Sequence, residues 1–140
     1  MPVYSNSEQL YGALQALFTR VGEVDPTSTQ KLAASKLILR MRTSSPVIEV
    51  NINGRRNPIQ IVYGASPTRP DIELEIPADL LHGILLSEIT LRKAYATGKI
   101  KLRGPIWKAF VLDDIFHAGR AIYPEILKEQ NINGYSAKIS

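Results

Sequence analysis

The sequence predicts an α+β fold: a five-stranded, mainly antiparallel sheet with helices covering one face. Three observations carry this expectation. Five short segments alternate apolar and polar residues with period two, the mark of strands with one face buried and one in water. Segments with apolar residues at i, i+3, i+4 precede and follow them, as helices covering a core do. At residues 90–104 (TLRKAYATGKIKLRG) the two periods meet across one glycine, so a helix and a strand join within a few residues.

The first helix is expected over residues 4–21. Leu10, Ala13, Leu14, Leu17, Phe18 and Val21 form one apolar stripe, Ser5 and Glu8 have capping-box spacing, and Gly22 suits a stop. Asp25 and Pro26 open a short helical turn as cap and first residue, running to about Ala34. Residues 36–43 read as a strand, with Leu37, Leu39 and Met41 alternating against Lys36, Ile38, Arg40 and Arg42. Residues 47–53 follow, with Ile48, Val50 and Ile52 facing one way and Glu49, Asn51 and Asn53 the other. Asn53-Gly54 is a hairpin signal, lengthened by the polar Arg55-Arg56-Asn57. Residues 58–63 and 71–76 make two further strands, the last alternating Ile72, Leu74 and Ile76 with acidic residues. Short loops imply that these four strands form an antiparallel meander.

Pro77 and Asp79 open a helix to about Glu88, with Asp79 as cap and Leu80, Leu81, Ile84 and Leu85 facing the core. Gly83 in its middle permits a close neighbour, although slack in the sequence explains it equally well. Residues 90–104 come next. Leu91, Ala94 and Tyr95 share a helical face, and Gly98 stands where a helix end takes positive φ. Lys99-Ile100-Lys101-Leu102-Arg103 alternates as the fifth strand, which joins the sheet by a crossover, and Gly104-Pro105 ends it. Residues 105–118 read as one helix, apolar nearly all round, and a last short helix starts near Pro124. The tail, residues 131–140, is polar and expected to be mobile.

The run Ala94, Gly98-Lys99-Ile100-Lys101-Leu102, Gly104, after an acidic-capped apolar helix, resembles the sterol carrier protein 2 (SCP2) sterol-binding domain. The resemblance extends more loosely from about Asp25 to Phe116, and residues 1–22 carry no matching motif. It implies an apolar tunnel between sheet and helices and a lipid-binding domain without catalysis of its own.

At 140 residues the chain is expected to be one domain, 1–140, with residues 1–22 as its N-terminal helix. Hydrophobic residues make up 44%, enough for one core. No apolar run has membrane-spanning length and no signal peptide is visible; cysteine is absent, so disulfides and thiolate metal sites are excluded. A cytoplasmic location is the simplest expectation. The net charge of +4 is mild and spread along the chain. It allows transient contact with an anionic membrane, and it lacks the dense basic stripe with interleaved aromatics that nucleic acid requires.

Little in the chain suggests chemistry. His82 and His117 each stand alone, without the spacing of a metal site, and are expected at the surface or a helix edge. Asp113-Asp114 do not form a catalytic pair by spacing, and one of them can pair with Lys99 or Lys101. No phosphate loop, dinucleotide fingerprint or nucleophile elbow is present, and no cofactor is implied. An active site would need a convergent polar set such as Tyr63, Tyr95, His117 or Asp113. Aromatics are only 7% while apolar positions are many, which fits either a packed aliphatic core or a lined pocket.

The resemblance favours the pocket. It implies non-catalytic binding and transfer of an apolar lipid: a fatty acyl chain, a sterol-like molecule or an isoprenoid. The tunnel wall it suggests comprises Leu81, Leu85, Leu86, Tyr95, Leu102, Ile106, Trp107, Phe110, Val111 and Phe116. Two alternatives stay open: an accessory protein of lipid or quinone biosynthesis acting with enzyme partners, and an enzyme using the same pocket. Whether the first helix covers the pocket, covers the core or makes a homodimer contact also stays open.

Overall fold

A computed structural model describes residues 3–56 and 58–132. The expectations for Asn57 and for the tail from residue 133 lie outside these residues.

Helix α1 (Ser7–Val24) buries all six residues of its expected stripe. Its cap lies one residue later than expected: the Asn6 side chain accepts from the Gln9 N–H, and Gln9 Oε1 accepts from the Ser5 N–H. The helix runs on through Gly22. Helix α2 (Pro26–Ser35) follows the Asp25-Pro26 start and ends on Lys36, which is left-handed at φ 56° and therefore caps a helix rather than opening a strand.

Strands β1 (Ile38–Ser44), β2 (Ile48–Asn53) and β3 (Gln60–Tyr63) form an antiparallel meander. Strand β4 (Ile72–Pro77) departs from the expectation: it pairs with β1, in parallel, and not with β3. Strand β5 (Lys101–Arg103) pairs antiparallel with β4, giving the order β3-β2-β1-β4-β5.

Geometry accounts for the crossover. Since β3 and β4 run the same way, residues 64–71 must travel both along and across the sheet. Three strand spacings and four to five residues of rise make a diagonal of about 20 Å. The eight residues reach at most about 26–29 Å. They are therefore long enough to cross directly, against the sheet face opposite the helices. Side chains of that face fasten them: Arg40 Nη2 donates to the Ser66 and Thr68 carbonyls, and Asn51 Nδ2 to the Gly64 carbonyl at 2.7 Å. At the far end Asp71 accepts from the Ile38 N–H and donates its own N–H to the Ile38 carbonyl.

Helix α3 (Ala78–Leu85) starts on Pro77, and Asp79 is not its cap; Asp79 Oδ1 accepts instead from the Val3 N–H at 2.9 Å. A Cβ at Gly83 would meet its nearest neighbour, Glu88 Oε1, at an ordinary 3.6 Å, so no close approach requires the glycine.

Helix α4 (Leu91–Ala96) is capped by Thr90 and stopped by Gly98 at φ 75°. The Gly98 N–H donates to the Tyr95 carbonyl and the Lys99 N–H to the Ala94 carbonyl, a complete Schellman motif. Gly104, at φ 105°, ends β5 where a Cβ would lie 2.2 Å from the Asp71 carbonyl oxygen.

The long helix expected over 105–118 is two: α5 (Ile106–Ala109) and α6 (Val111–Ala118), joined at Phe110. Helix α7 (Tyr123–Glu129) is the last element among the described residues. Helix α6 packs on α1, α2, α3 and α4, and α1 also touches α2, α7 and β2, so the first helix covers the core.

Candidate functional site

Between sheet and helices lies an enclosed apolar cavity. Leu39, Met41, Ile52, Ile72 and Leu74 face it from β1, β2 and β4, and Phe18, Ala109, Leu112 and Phe116 face it from the helices; Arg40, between Leu39 and Met41, also borders it but turns its guanidinium to the opposite sheet face. The residues alternate along each strand, so the sheet presents an unbroken aliphatic wall. Its volume is about 10 Å³, room for about one water. No polar contact is offered that would hold a water there.

A second space opens beside it. A surface groove of about 470 Å³ runs between α1, α2 and the β3 edge, walled by Phe18, Ala33, Pro58, Ile59, Ile61 and Tyr63, with Gly22 in its rim. The groove exists because β3 is a short edge strand: Ile61 and Tyr63 stay half-buried where the helices do not reach. Burial pushes the Tyr63 phenol up to about 12, so it remains an uncharged hydroxyl at neutral pH. Phe18 lines both spaces and is 5% exposed.

The ten residues expected in a tunnel wall fall into four groups. Phe116 lines the cavity. Leu81, Leu85 and Leu102 are buried in the surrounding core. Leu86, Tyr95, Ile106, Phe110 and Val111 are half-buried against that core, and Trp107 is 71% exposed. Tyr95 and Phe110 meet at a tilt with a ring separation of 6.3 Å, and the Arg92 guanidinium lies 5.0 Å from the Phe110 ring.

The polar candidates do not converge. Tyr63 lies on β3 and Tyr95 in the helix leading to β5, at opposite edges of the sheet. Asp113 does not pair with Lys99 or Lys101. It accepts from the Leu91 and Arg92 N–H groups and so holds the start of α4, while Asp114 meets Lys31 at 3.8 Å. His117 is exposed. His82 is not a surface residue: it is buried, with Nδ1 2.6 Å from the Tyr123 hydroxyl, which also bonds the Tyr4 hydroxyl. Burial raises both phenols well above their ordinary range. This trio ties the N-terminal segment, α3 and α7 together. Among the described residues no group of three or more metal-capable side chains gathers, and no helix is long and apolar enough to cross a membrane.

Sequence reasoning misses the groove. Ile59, Ile61 and Tyr63 carry a signal, an alternating apolar run on a strand too short to be covered, while Phe18 reads only as part of a core stripe.

No protein-family model matches the chain, and no curated protein matches it by sequence. Solved structures do match. The sterol carrier protein domain 2 of Helicoverpa armigera superposes with a TM-score of 0.63 at 17% identity, over 81% of this chain and 89% of that one. Palmitated SCP2L2 from Aedes aegypti gives 0.53 at 24% identity, over 76% and 92%. A UbiJ-SCP2 ubiquinone synthesis protein gives 0.58 at 12% identity, over 79% and 90%. At such identities the likeness is one of architecture, and it agrees with the five-stranded sheet and helical layer described above: this chain has the sterol carrier protein 2 fold.

Proposed function

We propose that this protein binds and carries an apolar lipid, without catalysis of its own, taking it up through the groove beside Phe18. The observation that carries this reading is the shared wall. One residue, Phe18, borders both an open groove and an enclosed apolar cavity. The groove lies within the range of small-molecule sites, about 300–1,000 Å³; the cavity is far below it. A bound acyl chain therefore occupies the groove first and extends inward as Phe18 swings aside and the helices part from the sheet. Each methylene taken from water contributes about 0.8 kcal/mol, which offsets the packing energy given up as the core opens. Apolar contact is non-directional, so selectivity among acyl, sterol-like and isoprenoid chains is weak. The palmitated neighbour favours an acyl chain.

A fluorescent fatty acid tests the reading. Saturable binding in the micromolar range or tighter is expected. Gly22 borders the groove, and a Cβ there meets nothing within 4 Å. Gly22→Leu should fold normally and weaken binding by filling the groove. Absence of saturable binding by the folded wild type, or full binding by Gly22→Leu, would count against it.

A second reading, an accessory role in quinone biosynthesis, is favoured only by the ubiquinone synthesis neighbour. Co-purification with a biosynthetic enzyme would distinguish it.

A further inference from the structure

The positive charge is less evenly spread than composition suggests. Residues 89–112 hold six basic side chains and no acidic one, while the rest of the chain holds eleven basic and thirteen acidic. Two of the six, Lys101 and Arg103, stand opposite Glu75 and Glu73 across the β4–β5 pair. The other four, Arg92, Lys93, Lys99 and Lys108, are exposed on and around α4 and α5. Glu88 and Asp113 flank this run in sequence, and Asp113 spends both oxygens on backbone N–H groups at the start of α4.

The same two helices display the aromatics. Trp107, the one tryptophan of the chain, is 71% exposed on α5, with Lys108 Nζ 5.1 Å from its ring. Tyr95 and Phe110 form the half-buried floor beneath Arg92. Rings that are apolar at the base and flanked by cations match the chemistry of a bilayer headgroup region, where indole rings sit and long basic side chains reach phosphates. We propose that the α4–α5 face docks on anionic membrane surfaces, with Trp107 as its anchor and Arg92, Lys93, Lys99 and Lys108 as its electrostatic contacts. The occupant follows from charge complementarity together with an exposed indole; an acidic protein would explain the cations without the tryptophan. The proposal goes beyond cargo binding and does not depend on it. Ala109, the last residue of α5, also lines the internal cavity, so docking sets the bilayer beside that cavity's wall.

The lone tryptophan makes the test site-specific. Fluorescence and co-sedimentation are followed with vesicles of phosphatidylcholine alone and with about one third phosphatidylserine. A blue shift with co-sedimentation is expected for the anionic vesicles only. Each cation near such a surface strengthens partitioning by about fivefold, so Arg92→Gln with Lys108→Gln should weaken it by about 25-fold. Trp107→Ala, a change at an exposed site that leaves the fold intact by circular dichroism, should weaken it as well. The proposal is overturned by no shift on anionic vesicles, by sedimentation without a shift, or by Trp107→Ala partitioning like wild type. A shift produced by RNA or an acidic polypeptide but not by vesicles overturns it too, and assigns the face to a polyanion. Fatty acid binding in vesicle-free solution is measured separately, so failure of docking and failure of cargo binding read out independently.

Discussion

Arg40 on β1 donates its Nε–H to Asn51 Oδ1 on β2 at 3.0 Å, between residues directly opposite in the ladder. The pair is the centre of a polar layer on the sheet face opposite the helices. Asn51 donates to Glu49 and to the Gly64 carbonyl; Arg40 reaches Glu73 and the Ser66 and Thr68 carbonyls. The crossover that lets β4 run parallel to β1 is therefore held by two side chains of the meander it crosses.

Arg40→Ala should cost about 3 kcal/mol, because it strands partners that are largely shielded from water. Arg42 also meets Glu49, at 2.8 Å, but its side chain is 48% exposed, so Arg42→Ala should cost less than about 1 kcal/mol. Urea denaturation of both variants checks the contrast. Equal losses would show that the crossover does not depend on Arg40.

Glu49 gives this layer an acid dependence. Burial raises its carboxyl, but hydrogen bonds from Asn51 and Arg42 and the Arg42 and Arg40 charges outweigh it, and the net shift is downward from 4.5. A lowered folded value means that the unfolded chain binds the proton more readily. The contribution is complete above about pH 4.5 and is lost as pH falls through the lower folded value. Glu49→Gln should flatten the fall of melting temperature below about pH 5, and an unchanged slope would exclude Glu49 as its source.

The alkaline limit has the opposite sign. Tyr4 and Tyr123 are buried and their phenols are raised above the ordinary 10. The unfolded chain thus gives up these protons first, and stability is lost as pH rises past about 10. Tyrosinate absorbance from the buried pair should appear together with loss of ellipticity, not before it. Tyr123→Phe removes the bonds to both Tyr4 and His82 and should cost about 2 kcal/mol near neutral pH.

Legibility in the sequence follows how local each feature is. The α1 stripe and the Gly98 stop are written in spacings of a few residues, and both stand in the structure. Strand alternation places Leu39, Met41, Ile52, Ile72 and Leu74 on one face. It carries nothing about which strand β4 chooses, because every strand offers the same alternation to every other. His82 on an apolar helix reads as a helix-edge residue since its partners, Tyr4 and Tyr123, lie 78 and 41 positions away. The break at Phe110 is invisible because an apolar run reads as one helix whether or not it bends. The groove escapes for the same reason as the crossover: Phe18 and Ile61 meet only through tertiary packing.

Two glycines with positive φ should respond unequally. At Gly98 (φ 75°) a Cβ would meet nothing within 4 Å, so Gly98→Ala should cost only the left-handed conformation, about 1–2 kcal/mol. At Gly104 (φ 105°) it would meet a backbone carbonyl that cannot rotate away. Gly104→Ala should therefore detach β5 from the crossover and lower the melting temperature several-fold more than Gly98→Ala. Equal shifts would mean that the Asp71 approach is not needed.

The last contrast separates a cavity that can open from an ordinary core. Phe116 and Ile115 are neighbours on α6, both buried, and only Phe116 lines the cavity. In delipidated protein Phe116→Ala should cost about 3–5 kcal/mol and Ile115→Ala about 2–5 kcal/mol. Their responses to a fatty acid should then diverge. Phe116→Ala enlarges the space behind Phe18, so the acyl chain finds room without parting the helices, and ligand should recover more stability than it adds to wild type by mass action. Ile115→Ala leaves a void away from the cavity and should gain only what wild type gains. Chemical denaturation of the three proteins with and without fatty acid measures both terms. Equal ligand-induced gains in all three would place the bound chain in the outer groove alone and leave the cavity behind Phe18 as packed core.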